Sequence, residues 1–168
     1  MTPVAESLAR RAWAHYAGGV AKLYFRHGTM SSAKTLNLLA VAHNYRSQGK
    51  RVLFEGLHCV LVDEAQFLST ALVEQLRRLT LSHNVPVICY GLRTDFQTRL
   101  FEGSQRLLEL ADSIEEVKVT CQFCNRKAIF NMRFVDGKPT LVGEQVQLGG
   151  DESYAPCCYT CFAERLRA

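Results

Sequence analysis

The sequence predicts an α/β protein: a parallel sheet with helices on both faces, followed by a small cysteine-bearing β module at the C-terminal end. Three observations predict it. From Ala21 onward, short apolar runs alternate with amphipathic segments, the pattern of strand and helix units stacked into a parallel sheet. A hydroxyl-rich loop ending in Lys34-Thr35 follows the first such strand and opens a helix. After Ile114 the alternation gives way to a segment rich in Cys and Gly. With 168 residues, 48% of them hydrophobic, the chain is long enough for one buried core, which excludes disorder and a collagen-like repeat.

The elements follow in order. Residues 1–20 contain Arg10 and Arg11 and end near Gly18-Gly19, and they read as an N-terminal extension. Glu6 and the lack of a Ser-rich stretch argue against a transit peptide. Residues 22–25 read as the first strand. Residues 34–48 read as a helix, with Leu38, Leu39, Ala42 and Tyr45 on its apolar side and Gly49 as the C-terminal cap. Residues 51–54 and 58–62 are the second and third strands, and residues 67–82 a helix with Leu68, Leu72, Leu76 and Leu79 along one side. A buried strand over 86–90 and a short helix over 104–111 complete the series. The domain boundary falls near Val119, giving units at 21–119 and 120–168.

Lys and Arg exceed Asp and Glu by 20 to 16, a net charge of +4 that suits phosphate-bearing ligands. There is no basic run, so no nucleic-acid partner is expected. The longest apolar stretches, such as 59–62 and 85–90, fall far short of the roughly 20 residues of a membrane span, so no membrane partner is expected either. The cysteine count is seven, an odd number, and four of the seven form two Cys-x-x-Cys pairs. That favours a reducing, cytoplasmic compartment and a metal over a disulfide framework.

Gly28-Thr29-Met30-Ser31-Ser32-Ala33-Lys34-Thr35 has the context of a Walker A loop. Backbone N–H groups at a helix N-terminus point at phosphates, Lys34 neutralises their oxygens, and the Thr35 hydroxyl can hold Mg²⁺. The residue before the lysine is Ala33 where the motif has Gly. A methyl is acceptable there if the backbone is already right-handed helical. The competing reading makes Gly28 a turn and Lys34 a solvated helix residue. A second half of the site stands at the end of the third strand, where Asp63 and Glu64 follow a buried run, and strand ends are where ligands sit in such sheets. Asp63 is expected to face the metal and Glu64 an acceptor hydroxyl or water, as general base. Arg93 and Arg99 are candidates for transferred charge, with Arg99 read as a surface residue.

Cys121-x-x-Cys124 and Cys158-x-x-Cys161 have the spacing of a tetrahedral Zn²⁺ site. Four protein ligands leave no open position, so the role is structural, and the ion ties off a loop of 33 residues. Cys157 competes with Cys158 but lacks the two-residue spacing. Cys59 and Cys89 read as small core residues. Within the loop, residues 143–150 read as an extended strand and a turn whose backbone could meet the edge of a planar ligand beside Tyr154.

These motifs together resemble the type II thymidine kinases, the zinc-lasso class. The resemblance runs from Lys22 to Phe162 through the phosphate loop, Val62-Asp63-Glu64-Ala65-Gln66-Phe67, Tyr90-Gly91-Leu92-Arg93-Thr94-Asp95-Phe96-Gln97, Gly103-Ser104-Gln105, both cysteine pairs, Gly149-Gly150 and Tyr154. It implies a RecA-like P-loop NTPase fold with a zinc-binding lasso, and ATP-dependent phosphorylation of the 5′-hydroxyl of thymidine or deoxyuridine. It also implies a homotetramer, with thymidine triphosphate as feedback inhibitor. By position, Glu64 matches the catalytic base, and Asp63, Glu64, Ala65 and Gln66 line the nucleotide side with the phosphate loop. Met30 and Phe96 match residues flanking the thymine ring. Gln145, Val146, Gln147, Leu148 and Gly149 match the lasso segment that reads the base, and Tyr154 the tyrosine covering it.

The chain departs from that family after Phe54. Only Phe54-Glu55-Gly56-Leu57 separate the second and third expected strands, whereas a parallel connection needs about a dozen residues. Four extended residues reach only about 14 Å. The family carries a longer segment there, with an Asp-x-Arg motif whose arginine contacts phosphates. Either the sequence closes over an absent segment or the protein is truncated there, and in the truncated case the expectation is that the third strand rearranges or loses its partner and that kinase activity is weak or absent. The leading reading is an enzyme that resembles the zinc-lasso thymidine kinases. The missing crossover motivates a competing reading as an impaired nucleotide-binding relic, and a P-loop ATPase with a nucleic-acid-binding zinc ribbon is a further alternative, disfavoured by the lack of a basic stripe.

Overall fold

The computed structural model describes residues 19–47, 58–145 and 154–167. The N-terminal extension up to residue 18, the Gly49 cap, the strand expected over 51–54, and Val146, Gln147, Leu148 and Gly149 of the lasso segment lie outside the described residues.

Four parallel strands form the first sheet: β1 (Leu23–His27), β2 (Val60–Val62), β3 (Val87–Gly91) and β4 (Ser113–Glu116), in the spatial order β2-β3-β1-β4. The continuous apolar run of β3 is buried at every position, which is what a central parallel strand requires. Its alternate residues separate to the two faces. Val87 and Cys89 join Leu23, Phe25, Val73, Leu76 and Leu107 in one core, supplied by helices α2 (Thr70–Ser82) and α3 (Glu102–Leu110). Ile88 and Tyr90 join Cys59 in a second cluster, against which Leu38 and Val41 of α1 (Lys34–Ser47) pack. Helices thus flank both faces, and Cys59 and Cys89 are core residues as expected.

Two helical faces differ from the sequence reading. In α1 the residues toward the sheet are Leu38 and Val41, while Leu39 is 57% exposed. Helix α2 begins at Thr70, because Glu64 is left-handed, a 3-10 turn occupies Ala65–Phe67 and Ser69 caps the helix by accepting from the Leu72 amide. The later start turns Val73, Leu76 and Thr80 inward and leaves Leu72 exposed. Strand β4 was not expected. It forms because its backbone pairs with the free side of β1, and Asp112 just before it accepts from the Leu23 amide at 2.8 Å and pairs with Arg77.

The third expected strand does not lose its partner. As β2 it pairs in parallel with β3, Val60 opposite Val87 and Val62 opposite Cys89, so its place in the sheet does not depend on a neighbour at 51–54. Helix α1 lies between β1 and β2 in the chain, which supplies the long crossover that a parallel sheet needs.

The C-terminal unit is a three-stranded antiparallel sheet, β6-β5-β7, built from β5 (Phe130–Val135), β6 (Lys138–Thr140) and β7 (Tyr154–Cys157), with helix α4 (Tyr159–Arg167) following. Asp136 and Gly137, both at positive φ, make the two-residue hairpin turn between β5 and β6. Its core gathers Ala128, Met132, Cys157 and Phe162 around the cysteine pairs.

Candidate active site

The phosphate loop leaves the end of β1 and is anchored by the Gly28 amide, which donates to Gly91 O at 3.3 Å. Ser31 and Ala33 both have φ of 58°, so the backbone alternates in hand, the geometry that turns successive N–H groups toward an anion. Ala33 is therefore left-handed and not right-handed helical, contrary to the condition under which its methyl was acceptable. It caps α1 from outside the helix, its carbonyl accepting from the Asn37 amide at 3.0 Å. Lys34 is buried and its Nζ donates to Thr29 O at 2.8 Å and, at 3.4 Å, to Gly28 O and Ser32 Oγ. Thr29 Oγ1 is buried without a hydrogen-bond partner among the described residues. A loop whose backbone alternates in hand around a pocket lined by Lys34 and the hydroxyl residues Ser31, Ser32 and Thr35 fits a polyphosphate.

Asp63 and Glu64 close the loop's open side. Asp63 Oδ2 accepts from Thr35 Oγ1 at 3.0 Å and Oδ1 from the Glu64 amide at 3.0 Å. Hydroxyl and carboxylate oxygens at that separation form a hard-oxygen donor pair that suits Mg²⁺. Glu64 is left-handed at φ 50°, and its carboxylate accepts from Gln66 Nε2, whereas that of Asp63 accepts from Thr35.

Two pockets meet at Glu64. The first is lined by the phosphate loop from Met30 to Thr35, with Glu64 and Leu92. The second, a cavity of about 150 Å³, is lined mainly by Met30, Gln66, Phe67, Phe96, Phe101, Asn131, Gln145 and Tyr154, again with Glu64 and Leu92. One pocket is lined by the phosphate loop and Lys34, the other is largely apolar and aromatic, and Met30, Glu64 and Leu92 border both. Met30, Phe96, Gln145 and Tyr154 thus come together as the resemblance implies. Ala65 is wholly buried in the core and Gln66 lies on the aromatic side, so neither lines the phosphate pocket. Residues 143–145 form no strand. They are pinned instead: Gln145 Nε2 donates to Asp95 Oδ2 at 3.0 Å, Arg133 to Glu144 O at 3.1 Å, and Gln97 Nε2 to Leu141 O at 2.7 Å. Arg133 also stacks over Phe96 at 4.9 Å.

Arg93 does not reach the phosphate pocket. It donates to Ile129 O at 3.2 Å and lies 5.9 Å from the centre of the Phe130 ring, joining the two units of the chain. Arg99 is exposed, as expected. Sequence reasoning missed Asn131, whose Oδ1 accepts from the Met30 amide at 2.8 Å and so ties β5 to the phosphate loop. It also missed Asp95, Arg133 and Phe101. Burial, with Arg93 nearby, holds the His27 imidazole below its ordinary range.

The four cysteine sulfurs lie within 4.8 Å of one another, and Cys124 Sγ stands 3.6 Å from Cys158 Sγ. A tetrahedron with Zn–S bonds of about 2.3 Å needs sulfurs about 3.8 Å apart, so the set fits Zn²⁺. The Phe123 amide donates to Cys121 Sγ and the Cys161 amide to Cys158 Sγ. Burial would raise the Cys121 thiol, but surrounding backbone N–H groups, that of Cys158 foremost, bring it down to about 6; the Cys161 amide lowers Cys158 as well. Burial pushes Cys161 up to about 12, and Cys157 likewise; what sets Cys157 apart is position, since it is not among the four clustered sulfurs. No cysteine is in a disulfide.

A parallel α/β sheet with a lysine-bearing anion loop, a hydroxyl–carboxylate pair at the facing strand end and an adjoining aromatic pocket defines a phosphoryl-transfer enzyme for a planar, hydroxyl-bearing acceptor. Comparison with known proteins gives the particular family. The family model described as thymidine kinase matches residues 54–162. A thymidine kinase of Streptococcus pyogenes is 40% identical over 180 residues, covering 83% of this chain and 95% of the relative. Those of Lactobacillus acidophilus and Streptococcus gordonii are each 40% identical, covering 83% of this chain and 94% of the relative. The chain belongs to the thymidine kinase family. Since 83% of 168 residues is about 140, against 180 aligned positions, about 40 positions of the Streptococcus pyogenes relative have no counterpart here. The family match begins at Phe54, where the short connection begins.

Proposed function

We propose that this chain is an enzyme that transfers the γ-phosphoryl group of ATP to the 5′-hydroxyl of thymidine or deoxyuridine, giving the nucleoside 5′-monophosphate and ADP. One observation carries the reading: Glu64 stands on the border shared by the phosphate pocket and the aromatic pocket, where an acceptor hydroxyl would meet a phosphoryl group.

Glu64 takes the proton of the 5′-hydroxyl as the oxygen attacks phosphorus, which places a general base within reach of the nucleophile. Gly28, Thr29, Met30, Ser31, Ser32 and Ala33 form the phosphate cradle: the amides of Gly28, Met30 and Ser32 are bonded within the protein and hold the loop's shape, those of Thr29, Ser31 and Ala33 serve the phosphates, and Lys34 turns from its loop carbonyls to the phosphate oxygens. Thr35 and Asp63 would hold Mg²⁺, which supplies neutralisation of the charge on the transferring group. Phe96, Met30 and Tyr154 enclose the base, and Gln145 together with Val146, Gln147, Leu148 and Gly149 reads its edge. Zn²⁺ on Cys121, Cys124, Cys158 and Cys161 closes the lasso and keeps its ends fixed. On this reading residues 1–20 are an N-terminal extension, residues 21–119 a RecA-like P-loop unit and residues 120–168 a lasso unit. The family's homotetramer, its inhibition by thymidine triphosphate and a cytoplasmic location extend to this chain as proposals.

Among the described residues no helix is long and apolar enough to cross a membrane. The impaired-relic reading is not favoured, because β2 keeps its place beside β3 despite the short connection. The test is Glu64→Gln. The variant is expected to bind ATP as the parent does and to lose turnover by a factor of 10² or more. Retention of full turnover would refute the assignment of Glu64.

A further inference from the structure

Gln66 is 2% exposed and its side-chain amide has no freedom of orientation. The Leu92 amide is a donor, so the Gln66 atom it meets at 3.0 Å is the oxygen Oε1. The other end is then the NH₂ group, which donates to Glu64 Oε2 at 2.5 Å. The relay runs in one direction, from the tip of β3 through Gln66 to the carboxylate at the tip of β2. The space around it admits no slack. A Cβ at Gly91 would come within 2.8 Å of Gln66 Oε1, and Leu92 O is itself held by Ser104 Oγ at 2.5 Å. Glu64 is otherwise an exposed side chain on a left-handed residue, and among the described residues no second hydrogen bond or ion pair chooses a rotamer for its carboxylate.

We propose that Gln66 is a positioning residue for the phosphoryl transfer: by occupying Oε2 it fixes the carboxylate between the two pockets and leaves Oε1 to accept the acceptor's proton. The proposal rests on Glu64 being the base. It differs from a nucleoside-binding role, although Gln66 lines the aromatic pocket, because its side-chain nitrogen is spent on Glu64 and its oxygen on Leu92. A positioning group acts through the residue it holds. Its loss therefore lowers kcat and leaves binding of both substrates nearly unchanged.

The experiment compares Gln66→Met, close in size but with no amide, and Gln66→Glu, which keeps an acceptor for the Leu92 amide and replaces the donor with a carboxylate. Each is made in the parent chain and in the Glu64→Gln variant. For both single variants kcat is expected to fall about 10- to 100-fold while KM for thymidine and for ATP stays within about twofold. In the Glu64→Gln background the same changes are expected to cost little more, since the group they position is already disabled. Gln66→Glu carries the test should Gln66→Met fail to fold. Unchanged kcat, a rise in thymidine KM at constant kcat, or full additivity with Glu64→Gln overturns the proposal. Undiminished turnover in Glu64→Gln alone removes the base on which it rests, and identifies the failure as that of the proposed function.

Discussion

Ala33 and Ala40 pose the same substitution in opposite backbones. Ala33 sits at φ 58°, where the β-carbon crowds the following carbonyl at about 1–2 kcal/mol, and its side chain is exposed, so no packing is lost when it is removed. Glycine carries no such crowding but costs about 0.5–1 kcal/mol in unfolded-chain freedom. Ala33→Gly is thus expected to stabilise by about 0.5–1 kcal/mol. Ala40 is exposed in the interior of α1, where the same change costs about 1 kcal/mol. For a chain of this size 1 kcal/mol corresponds to roughly 2–4 °C in Tm, so the two variants should separate by about 3–8 °C in a thermal melt. If both lower Tm equally, Ala33 is right-handed and the account of the phosphate loop fails.

Three further outcomes follow from the same geometry. Chelation, or Cys124→Ser, should release bound Zn²⁺ measured by metal analysis and lower Tm by roughly 5 °C or more, whereas Cys157→Ser should leave the metal content unchanged. Asn131→Ala strips the Met30 amide of its acceptor, a loss of about 1 kcal/mol or more, so KM for ATP should rise about fivefold, and Asn131→Asp, which keeps an oxygen there, should restore it. Burial holds His27 below its ordinary value of about 6.5, so the unfolded chain binds the proton more readily. The folded state is then fully favoured above that value and loses stability as pH falls below it, and in urea melts between pH 7 and 5 His27→Gln should flatten the loss.

What the sequence made legible was whatever declares itself locally. The run Val87–Gly91 is apolar throughout because both its faces are covered, and the cysteine spacing alone singled out the tetrad that the sulfurs form. The loop from Gly28 to Thr35 and the acids at 63 and 64 were readable as separate motifs, and the structure joins Thr35 to Asp63. The Asp136-Gly137 turn was equally readable, a strong hairpin signal that passed unused. Other features have no local mark. Strand β4 is Ser-Ile-Glu-Glu, held by pairing and not by apolar character. Helix α1 carries leucines on its outer side as well as its inner one, so its period points no single way. Gln66 and Leu92 meet across 26 residues and Met30 and Asn131 across 101, distances over which sequence pattern carries no information. The expectation of a lost third strand failed for a related reason: its partner is β3, further along the chain, and not the segment before it.

The most direct test is product stoichiometry from the unaltered 168-residue chain supplied with ATP, Mg²⁺ and thymidine. The account predicts thymidine 5′-monophosphate and ADP appearing in equal amounts, with little ADP when thymidine is left out. ADP without phosphorylated nucleoside, above all if nucleic acid stimulates it, would contradict the account, as would tight binding of both substrates with no product.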